Sequence, residues 1–267
     1  MTDNHPFYWP IDSNNMYLNC HTYYSLNYGV LSETELLVLA RSHGVEVLAL
    51  TDINNSSAGM NFVRLANEQG IRPILGIDFR NGNIQEFVGL AQNNEGFREI
   101  NAFLSEHLHK GTPIPSVAPA FVHVHVIYPF EKIQEEERTD FRTYEHIGVS
   151  VEELRKLRFS RYREYKDRLV LLQPVSFRSK KDFNTHRLLR AIGLNTLLSK
   201  LPQSEEARPT DILRPMEELK RALVDFPHIW ENTQRLMDSC NIAFGFGKER
   251  VSQNFGPSKN WISCPIF

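Results

Sequence analysis

The stretch Leu18-Asn19-Cys20-His21-Thr22-Tyr23-Tyr24-Ser25 carries the strongest chemical suggestion in the chain. A histidine closing a β-rich run is a ready metal ligand, and a second ligand two residues earlier would share its face of the strand. Asn19 stands there instead. A second candidate lies in Phe121 to Tyr128, where His123 and His125 have strand spacing and would point to one side. That geometry suits a metal, but no acidic or cysteine residue lies within ten positions upstream. The alternation with Val122, Val124 and Val126 reads as a half-buried strand, so a solvent-facing or loop-covered pair is expected. His107 and His109 end a helical segment, where a histidine meets the helix dipole favourably and acts as a cap.

The third candidate is electrostatic. Between Arg155 and Arg168, seven Lys or Arg face only Glu164 and Asp167, with Phe159, Tyr162 and Tyr165 interleaved. Arg155, Lys156, Arg158, Arg161 and Arg163 could contact nucleic-acid phosphates while the aromatics stack. The plainer reading is a solvated amphipathic face, or a surface docked on the acidic loop at Glu135 to Glu137.

The elements that must position these residues alternate. A strand near Met16 to His21 leads to Ser32-Glu33-Thr34-Glu35, a capping box that opens a helix closed by Gly44. Then come an apolar run Val45 to Leu50, a helix from Ala58 to Gln69 closed by Gly70, and a strand at Pro73 to Ile77. A strand near Phe87 to Ala91, a helix near Glu95 to His107 and the strand Phe121 to Tyr128 continue the rhythm. Such alternation favours a parallel sheet, open or closed into a barrel. Ile133 to Thr143 reads as an exposed acidic loop, Leu169 to Leu172 as a strand, and Asp182 to Lys200 as a long helix. Shorter helices are expected near Pro215 and Pro227.

The bulk numbers exclude little but do exclude something. At 267 residues with 41% hydrophobic and 23% charged residues, the chain suits a soluble domain with an extensive core. A formal net charge of −2 gives no whole-chain nucleic-acid footprint. Cys20, Cys240 and Cys264 are too few and scattered for a disulfide framework or zinc knuckle, which suits a reducing cytoplasm. No basic start precedes an apolar run, and no run approaches the roughly 18 apolar residues of a membrane span. Neither export nor membrane insertion is expected.

Four landmarks then carry a resemblance: "LNCHTYYSLNYG" at Leu18 to Gly29, "LALTDINN" at Leu48 to Asn55, "GIRPILGIDF" at Gly70 to Phe79, and "FPHIWENTQRLMDSCNIAFGFG" at Phe226 to Gly247. In order and spacing the chain resembles the PHP (polymerase and histidinol phosphatase) domain at the N-terminus of bacterial DNA polymerase III alpha subunits. The closing segment ties it to the polymerase branch, because free-standing PHP phosphatases lack it, and "FNTHRLLRAIGLNTLLSKLP" is similar to the same branch. The resemblance implies an α/β fold, a PHP-type distorted (β/α)7 barrel over residues 1–182, with a helical C-terminal extension over 183–247 and a tail at 248–267. The palm carboxylates of a polymerase core are not in this chain.

An active PHP site holds two or three metals on histidines and carboxylates at strand ends, activating water for attack on phosphorus. Matched to that pattern, the first motif keeps His21 but has Asn19 for its other histidine, and Tyr28 replaces an acidic residue before Gly29. In the second motif Asp52 is followed by Ile53 where a histidine is expected. The third has Asp78 for glutamate, and the late Asp-x-His motif reads Pro174-Val175-Ser176. The resemblance therefore implies a vestigial set of His21, Asp52 and Asp78, with His21 hydrogen-bonded to Asp78 or Asn19 and Asp52 capping the loop after its strand. With so few ligands, no catalytic residue and no cofactor are expected.

The implied function is a non-catalytic scaffold within a replicative or repair DNA polymerase. Its implied partners are the polymerase core of the alpha subunit, DNA in the full polymerase and a proofreading exonuclease subunit. The rival is a stand-alone metal-dependent phosphoesterase or exonuclease using zinc or manganese on an unorthodox set that adds His123 and His125 to His21 and Asp78. A truncated relic with only an interaction role is the third reading.

Overall fold

The computed structural model describes residues 15–246, so the expected tail at 248–267 lies outside the described residues. The chain opens with β1 (Met16–Cys20), α1 (Glu33–Ser42), β2 (Val47–Leu50), α2 (Gly59–Glu68) and β3 (Arg72–Asn81), whose strands pair in parallel. Local chemistry sets the helix limits. Ser32 accepts the Glu35 amide while Glu35 accepts that of Ser32, and Gly44 and Gly70 take left-handed φ of 67° and 71° just past α1 and α2.

Residues 81–83, Asn-Gly-Asn, then turn β3 back into β4 (Ile84–Ala91), with Gly82 at φ 60°. β4 is antiparallel to both neighbours, which interrupts the expected parallel sheet. After α3 (Asn94–Lys110) the direction of β3 returns in β5 (Val124–Pro129), β6 (Glu145–Val149) and β7 (Leu169–Leu171). A helical turn, α4 (Phe130–Glu135), replaces the start of the expected acidic loop, and α5 (Leu154–Arg158) lies in the basic segment. The last strand, β8 (Pro174–Val175), pairs in parallel with β1. The long helix expected from Asp182 to Lys200 is α6 (Lys180–Gly193), because Asn195 adopts φ 48° and breaks the spiral. Then come α7 (Met216–Ala222) and α8 (Pro227–Asp238). Among the described residues no helix is long and apolar enough to cross a membrane.

The eight strands run in the order β7-β6-β5-β4-β3-β2-β1-β8. The two edge strands are consecutive in the chain. Leu171 and Pro174 are three residues apart and cannot be separated by more than about 11 Å, so the sheet must curl until its edges nearly meet. This is the expected barrel-like α/β curl, with eight strands and an unpaired seam.

Alternate strand residues segregate to two faces. Leu48, Leu75 and Phe79 pack outward with Leu37 of α1, Phe62 of α2 and Ile100 of α3, whereas Met16, Leu18, Val47, Ile74, Leu90 and Ile127 fill the inside. Leu236, Met237 and Cys240, at the end of α8, join the inner cluster. Arg72, at the start of β3, donates to the carbonyls of Met237 (2.9 Å) and Cys240 (3.2 Å) and to Asp238 (2.7 Å). These contacts anchor the carboxyl end of α8 at the amino ends of the strands, where a cation favours the helix dipole. α8 therefore forms the floor.

It also covers the seam. The Leu171 N–H donates to Thr233 Oγ1 (2.7 Å), and Asn232 Nδ2 donates to the carbonyls of Leu169 (2.8 Å) and Lys166 (2.7 Å). The Leu171 N–H and Leu169 carbonyl are ladder groups an edge strand would otherwise leave open. Asn232→Ala removes both carbonyl contacts and is expected to lower stability by about 2 kcal/mol. A urea midpoint unchanged from the parent chain would contradict this role.

Candidate functional site at the carboxyl ends of the strands

Because β8, β1, β2 and β3 are parallel, their carboxyl ends gather residues that are far apart in sequence. Asn19 and His21 come from the end of β1, Asp52 follows β2, Asp78 lies in β3, and Ser176 follows β8; all are buried. His21 is 0% exposed and both its ring nitrogens are engaged, Nδ1 with Ser176 Oγ at 2.9 Å and Nε2 with Asp78 Oδ2 at 3.0 Å. Of the two expected partners, Asp78 is the one used.

Arg80 completes the centre. Two residues beyond Asp78 on the same face of β3, it donates to Asp78 Oδ2 from Nε (3.0 Å) and Nη2 (2.6 Å). Burial alone would push the Asp78 carboxyl up, but Arg80 and the hydrogen-bonded His21 outweigh it and hold the group at about 2. Asp78 is therefore ionised, with His21 Nε2 and the two Arg80 nitrogens around its Oδ2, while Ser176 Oγ lies within hydrogen-bond reach of His21 Nδ1. The Arg80 guanidinium lies 4.9 Å from the centre of the Tyr28 ring, a cation–π contact. Tyr28 meets the His21 ring edge-on at 5.8 Å and the His186 ring at 4.6 Å.

Asp52 has a different task. Its Oδ1 accepts the Thr22 amide (2.6 Å) and Ser25 hydroxyl (2.7 Å), and its Oδ2 accepts the Thr22 hydroxyl (2.7 Å). Burial pushes its carboxyl up, against these hydrogen bonds. The expectation was a cap on the loop following its own strand; Asp52 instead clamps the loop after β1. Asn19 accepts the Thr51 hydroxyl at 2.7 Å, Pro174 pairs with Asn19 in the sheet, and Ile53 forms an isolated bridge to Asp78. A cavity of about 700 Å³ opens above this end, bordered by Asn19, Tyr28, Arg80, Arg208 and Asp211.

Among the described residues, no three or more His, Cys, Asp or Glu side chains are grouped to hold a metal ion. The donor chemistry agrees. Three donors converge on Asp78 Oδ2, and both His21 nitrogens face protein partners; only Asp78 Oδ1 is buried without one. A divalent ion about 4 Å from a guanidinium would be repelled by about 8 kcal/mol at an effective dielectric constant of about 20. These residues do not fit the metal cluster of an active PHP site.

The histidine strand is arranged differently from expectation. β5 begins only at Val124, because the start of α3 abuts the preceding segment: a Cβ on Gly96 would meet the His123 carbonyl oxygen at 1.9 Å. His123 and His125 therefore do not share a strand face. His125 lies opposite Leu90 and faces inward, with Nδ1 3.3 Å from His146 Nε2 and Nε2 2.7 Å from Ser239 Oγ. That places it at the floor, the end opposite His21, so the mixed ligand set of the rival reading is not assembled. His107 bonds Thr112 Oγ1 at 3.0 Å near the end of α3.

In the basic segment, Lys156 pairs with Glu131 (2.6 Å), Arg158 with Asp225 and Arg163 with Glu164 (2.9 Å), while Arg161 donates to the Glu137 carbonyl (2.7 Å). Sequence reasoning missed Arg80 and His186. The signal for Arg80 was available as Asp-x-Arg on one strand. His186 donates from Nδ1 to the Tyr28 carbonyl (2.8 Å) and accepts the Ala207 amide at Nε2 (2.9 Å), and burial lowers it to about 4.

A family model described as the PHP domain matches residues 18–171. The DNA polymerase III subunit alpha of Escherichia coli strain K12 is 22% identical over 286 aligned residues, covering 89% of this chain and 24% of its own length. The subunit of the same name from Staphylococcus aureus strain COL is 27% identical over 203, covering 71% of this chain and 18% of its own length. The chain thus spans a quarter or less of these relatives. An amidohydrolase from Chromobacterium violaceum superposes with a TM-score of 0.31 at 24% identity, covering 36% of this chain and 34% of that one, too little to argue from. Since the matched span takes in more than half of the sequence and follows the sheet from Leu18 to the end of β7, the chain belongs to the PHP domain family.

Proposed function

We propose that this chain is a non-catalytic PHP domain that serves as a scaffold within a DNA polymerase of the polymerase III alpha type, in replication or repair. The observation that carries the reading is the conversion of would-be ligands into an internal ion pair: Asp78 is bound by Arg80 and His21, and His21 by Ser176. The losses at Asn19, Tyr28, Ile53, Pro174 and Ser176 then form one pattern with His21, Asp52 and Asp78 as its remnant. In this reading residues 183–247 lead towards a polymerase core. The partners are that core, DNA through it and a proofreading exonuclease subunit, and the compartment is the cytoplasm. Of the basic residues in this segment, Lys156, Arg158 and Arg163 act as an ion-paired surface in the free chain.

Elemental analysis of the purified chain, with hydrolysis of a generic phosphodiester in added manganese or zinc, tests the proposal. Substoichiometric metal and no turnover are expected. Stoichiometric metal with turnover abolished by His21→Ala would establish the phosphoesterase reading instead.

A further inference from the structure

We infer that the groove between α5 and the start of α8 binds single-stranded DNA, with phosphates on Arg155, Arg158, Arg163 and Lys166 and a base stacked on Phe159. Nucleic-acid contact by this chain itself goes beyond the scaffold reading, and only the choice of DNA over RNA rests on that reading. Leu154 and Leu157 bury one side of α5, which turns Arg155, Arg158 and, at the helix end, Phe159 outward. Two cavities of about 400 Å³ each meet at this corner. Arg155 and Phe159 line one, Arg163, Glu164 and Lys166 line the other, and Arg158, Asp225 and Phe226 border both.

The walls thus carry four Lys or Arg against Glu164 and Asp225, on a chain whose formal net charge is −2. Arg158 pairs with Asp225 and Arg163 with Glu164, but all four side chains are exposed, where such pairs hold weakly and phosphates can replace the carboxylates. Arg155 and Lys166 are exposed too, and neither forms an ion pair among the described residues. Phe159 is 83% exposed, so its ring contributes little to the core. An exposed phenylalanine alone would mean nothing. Beside four cations it offers a face on which any unpaired base can stack, whereas the bases of a duplex are already stacked on one another. An acidic peptide would meet the same charges without needing an aromatic ring, so Phe159 separates the two occupants.

The test uses the full chain and a fluorescently labelled oligothymidylate, read by anisotropy at about 50 mM and about 200 mM KCl. Binding is expected at the lower salt and should weaken about 20- to 50-fold at the higher, as three or four phosphate contacts to a single strand require. Phe159→Ala and Phe159→Leu should each weaken it about tenfold with the salt dependence intact, while Phe159→Tyr retains it. Arg155→Gln/Lys166→Gln should weaken it at low salt and reduce the slope of the salt dependence by about half. Because these side chains are exposed, every variant should melt within about 2 °C of the parent chain. No binding at low salt, or binding unchanged in both Phe159→Ala and the double variant, overturns the inference. So does equal affinity for a duplex of the same length, and equal competition by polyglutamate would make the groove an acidic-peptide site instead. Tighter binding of an oligouridylate would overturn the choice of DNA. All these failures leave the scaffold reading standing, since metal content and phosphodiester turnover judge it separately.

Discussion

Asp78→Ala is expected to destabilise the chain by about 3–5 kcal/mol, because it leaves the Arg80 guanidinium, 8% exposed, without its anion and His21 Nε2 without its acceptor. A surface ion pair would not behave this way; exposed pairs such as Arg64 with Glu68 contribute about 0–1 kcal/mol. Asp52→Ala should cost less, about 1–3 kcal/mol, since it frees two hydroxyls and an amide but strands no cation. Urea denaturation at neutral pH measures both. Equal losses, or a near-neutral Asp78→Ala, would show that Asp78 does not hold a buried charge.

The second large effect is acid sensitivity from the floor. Burial lowers His125 to about 4, and burial, the neighbouring His125 and Arg168 lower His146 to about 3. Each group has a folded pKa below its unfolded value of about 6.5. Below that pH the unfolded chain takes up protons that the folded chain refuses, so stability is full above about pH 6.5 and falls as pH drops towards 4. His125 Nδ1 and His146 Nε2 are 3.3 Å apart and the groups titrate as a pair, worth on the order of 5 kcal/mol over this window. Asp78, held at about 2, adds its loss only below about pH 4. Melting temperature against pH should therefore fall in two stages, and a His125→Gln/His146→Gln chain should flatten the first. An unchanged first stage in that variant would place the sensitivity elsewhere, with His186 the next group to examine.

Much of the frame was legible because its signals are local. Ser32 with Glu35, and Gly44 and Gly70 at helix ends, mark boundaries through chemistry within a few residues. His21, Asp52 and Asp78 were legible as a set only through the resemblance to the PHP motifs, which places each of them by its local sequence. The direction of β4 was not legible from alternation, which is the same for parallel and antiparallel neighbours; only Asn81-Gly82-Asn83 hinted at the hairpin. The His125–His146 pair depends on where β5 begins, which is decided by the Gly96 contact with His123. Arg80 was not legible as a site residue because a guanidinium carries no lone pair for a metal and so matches no ligand pattern. Its role emerges only from the structure, which sets the guanidinium against Asp78 Oδ2 beside His21.

The contribution of α8 to the seam has a consequence for synthesis. β1 is the first of the described strands, yet its partner β8 comes about 155 residues later in the chain, and Leu171 finds its Thr233 acceptor later still. A chain emerging from the ribosome therefore carries two unfinished strand edges until nearly all of the described fold has been made. Such long-range closure slows folding and exposes edges that can recruit other chains. Nascent chains stopped before Pro227 should accumulate as aggregates, while those extended through Cys240 should fold.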